Sequence, residues 1–169
     1  IGERDIITSE ETNINALTTI ATSVTEKNIA NNSSITPESA LNSAKSTVAI
    51  TLGISAERIE EDYLKVKNPN SLAAAAQISS ILSVVSSSTG GTNDVSSNEA
   101  ALDSFAELLT TSSETVSLTE TNSIKTIIEK AAVTTGTSLD ASAVENVAVI
   151  ASSVVTEIQA VDITSTELS

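Results

Sequence analysis

The chemistry open to this chain is limited, because its 169 residues include neither His nor Cys. Without imidazole or thiol groups, it has no His-activated nucleophile and no imidazole or thiolate metal site. A serine could still be activated by lysine, but no Lys has a Ser three residues before it, as the S-x-x-K pattern requires. We therefore predict no catalytic residues, no bound cofactor and no enzyme activity.

Carboxylates are the remaining reactive groups, and the densest cluster is Glu60, Glu61 and Asp62. Two carboxylates across a cleft can hydrolyse a glycosidic bond, usually beside aromatic side chains that stack on the sugar. The nearest aromatic residue is Tyr63, and the chain has just one other, Phe105. A solvated helix face accounts for three adjacent carboxylates more simply than a catalytic pair does.

Calcium is the metal that oxygen ligands of this kind would select. The candidate ligands are Asp94 and Glu99, which flank a Gly-rich turn, and the cluster of Glu60, Glu61 and Asp62. Neither group matches the calcium-binding pattern D-x-[DN]-x-[DN]-G. A loop cap at Asp94 and plain solvation of the other carboxylates compete with calcium binding, so the metal stays an alternative.

The charge balance argues against nucleic acids as partners. With 22 acidic and 8 basic residues the formal net charge is −14, whereas nucleic-acid binding depends on Lys and Arg that neutralise phosphates. No sequence run approaches the roughly 18 consecutive apolar residues of a membrane helix. We therefore predict neither nucleic-acid binding nor a membrane span.

Aliphatic residues recur at helical spacing along most of the chain, and strand patterns are short and isolated. Hydrophobic residues make up 40% of the sequence and aromatic ones 1%, so the core must consist of Ile, Leu, Val and Ala. Ser and Thr are also abundant, but a disordered Ser/Thr-rich stalk would lack this periodicity. The pattern predicts an all-α bundle of six to seven short-to-medium amphipathic helices joined by capped polar turns.

Several helix ends can be predicted from local signals. Thr36 can cap a helix that starts at Pro37, and Gly53 can end it in the left-handed conformation. Gly136 and Asp140 give the same stop and start signals further along. Other predicted caps are Ser55, Ser71, Ser96 with Glu99 three residues later, and Thr119.

The domain prediction follows from these elements. Residues 1–12 form a polar lead-in, residues 13–160 the helical bundle, and residues 161–169 a tail. The Ser/Gly-rich stretch 86–94 is predicted to be a flexible linker. It could divide the bundle into halves, 13–88 and 95–160, although either half alone would have a marginal core.

Three motifs in the first half of the chain follow one another in a characteristic order: the stretch 15–21, which reads Asn-Ala-Leu-Thr-Thr-Ile-Ala, then Leu52-Gly53-Ile54, then the Ala-rich stretch 72–78. This order resembles helical segments of very large secreted bacterial surface proteins and adhesins, whose N-P-L-T-T-L opening has Pro where this chain has Ala16. This resemblance implies an exported, non-catalytic module of a bacterial cell-surface or extracellular-matrix chain, and it carries over no functional residues.

Composition and resemblance favour the same function: a structural or interaction module that serves as a spacer, assembly unit or adhesion unit. Its partners would be neighbouring modules, copies of itself or other surface proteins. Apolar residues near the termini, namely Ile6, Ile7, Ile163 and Leu168, are candidates for such pairing. The alternative is a calcium- or carbohydrate-binding module of a surface adhesin.

Overall fold

The protein is an all-helical bundle, as predicted. The computed structural model describes residues 15–90 and 95–161, and no strand occurs within these ranges. The predicted lead-in, nearly all of the tail and the four terminal apolar candidates lie outside them. The elements are α1 (Ala16–Asn31), α2 (Pro37–Leu52), a short 3₁₀ helix (Ala56–Glu60), α3 (Pro69–Thr89), α4 (Val95–Thr111), α5 (Thr121–Thr135) and α6 (Ala141–Ala160).

The strongest local signals place helix ends correctly. Thr36 accepts a hydrogen bond from the backbone N–H of Ser39 at 3.2 Å, directly before Pro37. Asp140 likewise caps α6 by accepting two backbone N–H groups. Gly53 and Gly136 end α2 and α5 with φ angles of 67° and 68°, which a glycine adopts without steric cost.

Two predicted caps are wrong because a neighbouring residue takes the position. Asn68 caps α3 and receives the backbone N–H of Ser71 at 3.1 Å. Because Pro69 favours the first helical position, the helix starts three residues earlier than a cap at Ser71 predicts. At α5 the cap position is Glu120, while the predicted cap, Thr119, hydrogen-bonds a neighbouring serine hydroxyl.

The other two predicted starts also differ from the structure. The helix α4 begins at Val95, so Ser96 lies inside its first turn and cannot be its N-cap. Ser55 makes no side-chain cap on the 3₁₀ helix. The backbone N–H of Glu57 and, second, the Ser55 hydroxyl donate to the Glu57 carboxylate and hold the pKa of that carboxyl below its ordinary value.

The predicted linker is wrong over residues 86–89, which form the last turn of α3. Ser86 and Thr89 are buried, and the Thr89 hydroxyl donates to the carbonyl of Val85 at 3.0 Å. The carbonyl of Thr89 in turn accepts the Thr137 hydroxyl at 2.6 Å. Packing therefore keeps in the helix a serine-rich stretch whose composition favours a loop; residues 91–94 lie outside the described ranges.

One apolar cluster draws on all six α-helices and the 3₁₀ helix. The central element is α3, which packs against α1, α4, α5 and α6. At one edge α2 packs mainly on α1 and the 3₁₀ helix, and at the other α6 packs on α3 and α5. The core alternates small alanines with Ile and Leu and contains Phe105 as its one large aromatic side chain.

Candidate functional site

The structure does not bring Glu60, Glu61 and Asp62 together around one point. Glu60 forms an ion pair with Lys45 at 2.6 Å, and Glu61 forms one with Arg58. Asp62 accepts the backbone N–H of the residue three positions on, at 3.0 Å. Each carboxylate therefore has a different protein partner, and none of the three is aimed at a shared ligand.

Of the second pair of calcium candidates, one residue lies within the described part of the chain. Glu99 is exposed on α4, while Asp94 lies outside the described residues. Within residues 15–90 and 95–161 no group of three or more acidic side chains has the geometry to hold a metal ion. Glu99 instead lies at the edge of a cleft on the bundle surface.

That cleft has a volume of about 570 Å³ and lies between α1, α4 and the end of α5. Glu99 and Asp103 provide carboxylates on its α4 side, and Asp103 also pairs with Lys27 at 2.6 Å. Ala100 and Leu102 add apolar surface beside them. We call this region the acidic cleft. It can accept a cationic group next to an apolar one.

A second cleft, of about 450 Å³, lies at the other end of the bundle. Its polar lining includes Asn70, Gln77 and Gln159, and the two glutamine side chains hydrogen-bond each other at 3.2 Å. None of its lining residues is charged. The lining offers neutral hydrogen-bond donors and acceptors, which a carbohydrate-binding site would need. It contains no aromatic ring that could stack on a sugar.

The turn between the 3₁₀ helix and α3 carries the opposite charge. In this basic turn, which we define as residues 63–67, the backbone N–H of Val66 donates to the carbonyl of Asp62 at 2.9 Å. Leu64 is 70% exposed and Val66 52% exposed, and each is followed by an exposed lysine. Lys67 has a φ of +50°, which is rare for a residue other than glycine.

The outward side of α6 is apolar as well. Val149, Ile150 and Val154 are 46%, 62% and 41% exposed, and Val161 follows at the end of the helix. We call these four residues the outer face of α6. The face of α6 that packs on α3 and α5 is the opposite one.

Polar contacts fix the inner side of α6 to its neighbours. Ser152 hydrogen-bonds Thr121 at 3.2 Å, and Lys125 donates to Glu145 at 3.1 Å. The hydrogen bond and the negative charge of Glu145 raise the pKa of Lys125 above its ordinary value. Because these contacts set the rotation of α6, its remaining apolar residues must point outward.

The outer face could have been recognised from the sequence. The stretch 146–156 contains no charged residue and has apolar side chains on more than one side of the helix. A helix that is apolar all round is usually covered on all sides. As an edge helix of the bundle, α6 is covered on one side.

Within the part of the chain that the structure describes, two helices are long and apolar enough, by length and composition alone, to cross a membrane: α3 and α6. The core helix of a soluble protein passes the same test, and α3 lies at the centre of the helix packing. Comparisons of the chain with known protein families, with curated proteins and with solved structures find no match.

Proposed function

We propose that this chain is a non-catalytic structural and interaction module whose copies pack side by side through the outer face of α6. The observation that carries the proposal is the exposure of Val149, Ile150 and Val154 on one edge helix. Contiguous exposed apolar surface is characteristic of protein contact sites. A second copy would cover this surface by presenting the same face, as two-fold symmetric dimers do.

The charge distribution supports a second copy as the partner. At a net charge of −14 most faces of two copies would repel each other. The stretch 146–156 has no charged residue, and Glu145 beside it is paired with Lys125. Two α6 helices can therefore meet across the stretch 146–156, with the exposed Glu157, which directly follows it, at the edge of the contact.

The setting that we propose is an exported chain at a bacterial cell surface or in an extracellular matrix. The support for it is the resemblance of the stretch 15–21 to helical segments of large surface proteins, together with the acidic, Cys-free composition. In such a chain the module would act as a spacer, an assembly unit or an adhesion unit, and its neighbours would be further modules or copies of itself.

Replacing Ile150 by glutamate is expected to abolish lateral association, because each contact would then bury two unpaired charges. Analytical ultracentrifugation over a range of concentrations measures the effect. The matched control is Ile50→Glu on α2, since Ile50 is 63% exposed and Ile150 62%. If Ile150→Glu and Ile50→Glu change the sedimentation of the chain equally, the proposed role of the outer face is wrong.

The calcium alternative has its own test. The test uses 5 mM calcium, which exceeds the dissociation constant of about 1 mM of the weakest extracellular calcium sites. We expect it to raise the melting midpoint no more than 5 mM magnesium does. A ligand bound only by the folded state must raise the midpoint, whereas screening of the negative charge acts alike for both ions. A rise specific to calcium, lost in Glu99→Gln, would support the calcium-binding module instead.

A further inference from the structure

The basic turn at residues 63–67 and the acidic cleft have complementary chemistry. We propose that the basic turn of one copy docks into the acidic cleft of the next, so that copies also join end to end. The proposal extends the assembly function proposed above and uses a different surface from the outer face of α6.

The basic turn is a preformed, exposed element. Lys65 and Lys67 have no ion-pair partner among the described residues, and the apolar side chains of Leu64 and Val66 lie beside them in the sequence. Tyr63 packs against the core and anchors the start of the turn. Because hydrogen bonds already hold the backbone, docking would order few additional residues.

The acidic cleft offers a matching lining. Glu99 has no ion-pair partner among the described residues, and Asp103 contacts Lys27 while half of its side chain stays exposed. The half-buried Leu102 supplies apolar surface next to the two carboxylates. A segment with cationic and aliphatic side chains in alternation would therefore find both its charges and its apolar groups complemented.

The basic turn lies at one end of the bundle, and the acidic cleft extends from the other end to the middle of α4. The basic turn leads directly into α3, whose 21 residues span about 31 Å. At the far end of α3, the carbonyl of Thr89 accepts the hydroxyl of Thr137, just after Thr135, which lines the acidic cleft. A contact between two different surfaces is head-to-tail, and such contacts produce rings or open filaments rather than two-fold symmetric dimers.

The expected affinity is low for an isolated pair of copies. A five-residue turn in a cleft of about 570 Å³ buries less surface than the roughly 1,200 Å² of a stable complex. In a chain that presents several modules, the effective concentration of neighbouring surfaces would be high enough to populate even a weak contact. The test must therefore capture a weak contact.

Disulfide trapping suits this purpose, because the chain has no cysteine of its own. Val66→Cys is placed in one batch of the chain and Thr134→Cys, at the edge of the acidic cleft, in another. Mild oxidation of the mixture is expected to give a mixed dimer between the two batches. The matched control replaces Thr134→Cys with Ser46→Cys on the exposed side of α2, which should give little dimer. Equal yields from the two mixtures would overturn the proposal.

A charge exchange tests whether the lysines and the carboxylates carry the contact. Adding Lys65→Glu and Lys67→Glu to the Val66→Cys chain is expected to lower the yield of mixed dimer about fivefold. Adding Glu99→Lys and Asp103→Lys to its partner should restore the yield. Failure of this restoration would overturn the assignment of a second copy as the occupant of the cleft.

The outcome is separable from that of the proposed function. Ile150→Glu in both batches is expected to leave the yield of mixed dimer unchanged, because the outer face of α6 takes no part in the end-to-end contact. A trapped dimer that disappears with Ile150→Glu would show that lateral packing alone brings the cysteines together, and it would overturn the inference while supporting the proposed function.

Discussion

Replacing Phe105 by alanine is expected to lower the free energy of unfolding by about 3–5 kcal/mol. The side chain is 1% exposed and is the largest in the core. Its loss removes apolar contacts and leaves a cavity that the surrounding Ile and Ala side chains can fill only by moving rigid helices. Since domains are usually stable by about 5–15 kcal/mol, the variant should lose at least about a fifth of its stability.

Urea unfolding followed by circular dichroism measures this loss, and the midpoint should fall with little change in slope. Val133→Ala is the control, because Val133 is 83% exposed on α5 and its truncation should change stability by less than about 0.5 kcal/mol. A loss below about 1 kcal/mol for Phe105→Ala would mean that the helices repack around the missing ring.

Local signals predicted the parts of the fold that local interactions decide. The caps at Thr36 and Asp140 and the left-handed ends at Gly53 and Gly136 depend on a few neighbouring atoms, so the sequence around them is sufficient. Where two signals compete, this reasoning fails. Asn68 and Ser71 can both cap a helix, and the preference of Pro69 for the first helical position decides between them.

The other errors arise from packing between segments that are distant in the chain. Nothing in the stretch 86–89 reveals that Thr137 will bond its last carbonyl and hold it in α3. Helical periodicity likewise shows that α6 has apolar sides but not which of them a neighbour covers. The periodicity therefore does not distinguish Val155, which is buried, from Val154 beside it, which is exposed.

The basic turn and the acidic cleft were even less accessible to sequence reasoning. The sequence assigns no role to residues 63–67, and it makes Glu99 half of a capping box or a calcium ligand. The fold instead places each of them on an exposed edge of the bundle. Their chemical complementarity and their separation along α3 become apparent only in the assembled bundle.

The hydroxyl groups show how a chain with so much Ser and Thr remains helical. Thr22, Thr126 and Thr156 each donate a hydrogen bond to the carbonyl four residues earlier, at 2.8–2.9 Å. Most of the helices contain further bonds of this type. The hydroxyls are thereby satisfied within the helix, but a β-branched threonine still has a lower helix propensity than alanine.

Replacing these three threonines by alanine should therefore stabilise the bundle by about 1.5 kcal/mol in total, since each position gains about 0.5 kcal/mol of helix propensity. The three sites lie on three different helices, so their effects should add. Urea unfolding of the triple variant measures the gain. The corresponding valine variants are the control, because valine removes the hydroxyl but keeps the β-branch, and their stability should stay near that of the unchanged chain.

A triple alanine variant that is less stable than the unchanged chain would show that the hydroxyl bonds contribute more than the propensity that they offset. The expected gain has a consequence for function. If stability rises when these threonines are removed, the helix backs are not optimised for folding, and a hydroxyl-rich, acidic exterior has to be explained by what the surface does. A module that meets other copies at a few apolar or charge-matched places needs its other faces to remain hydrated and mutually repulsive.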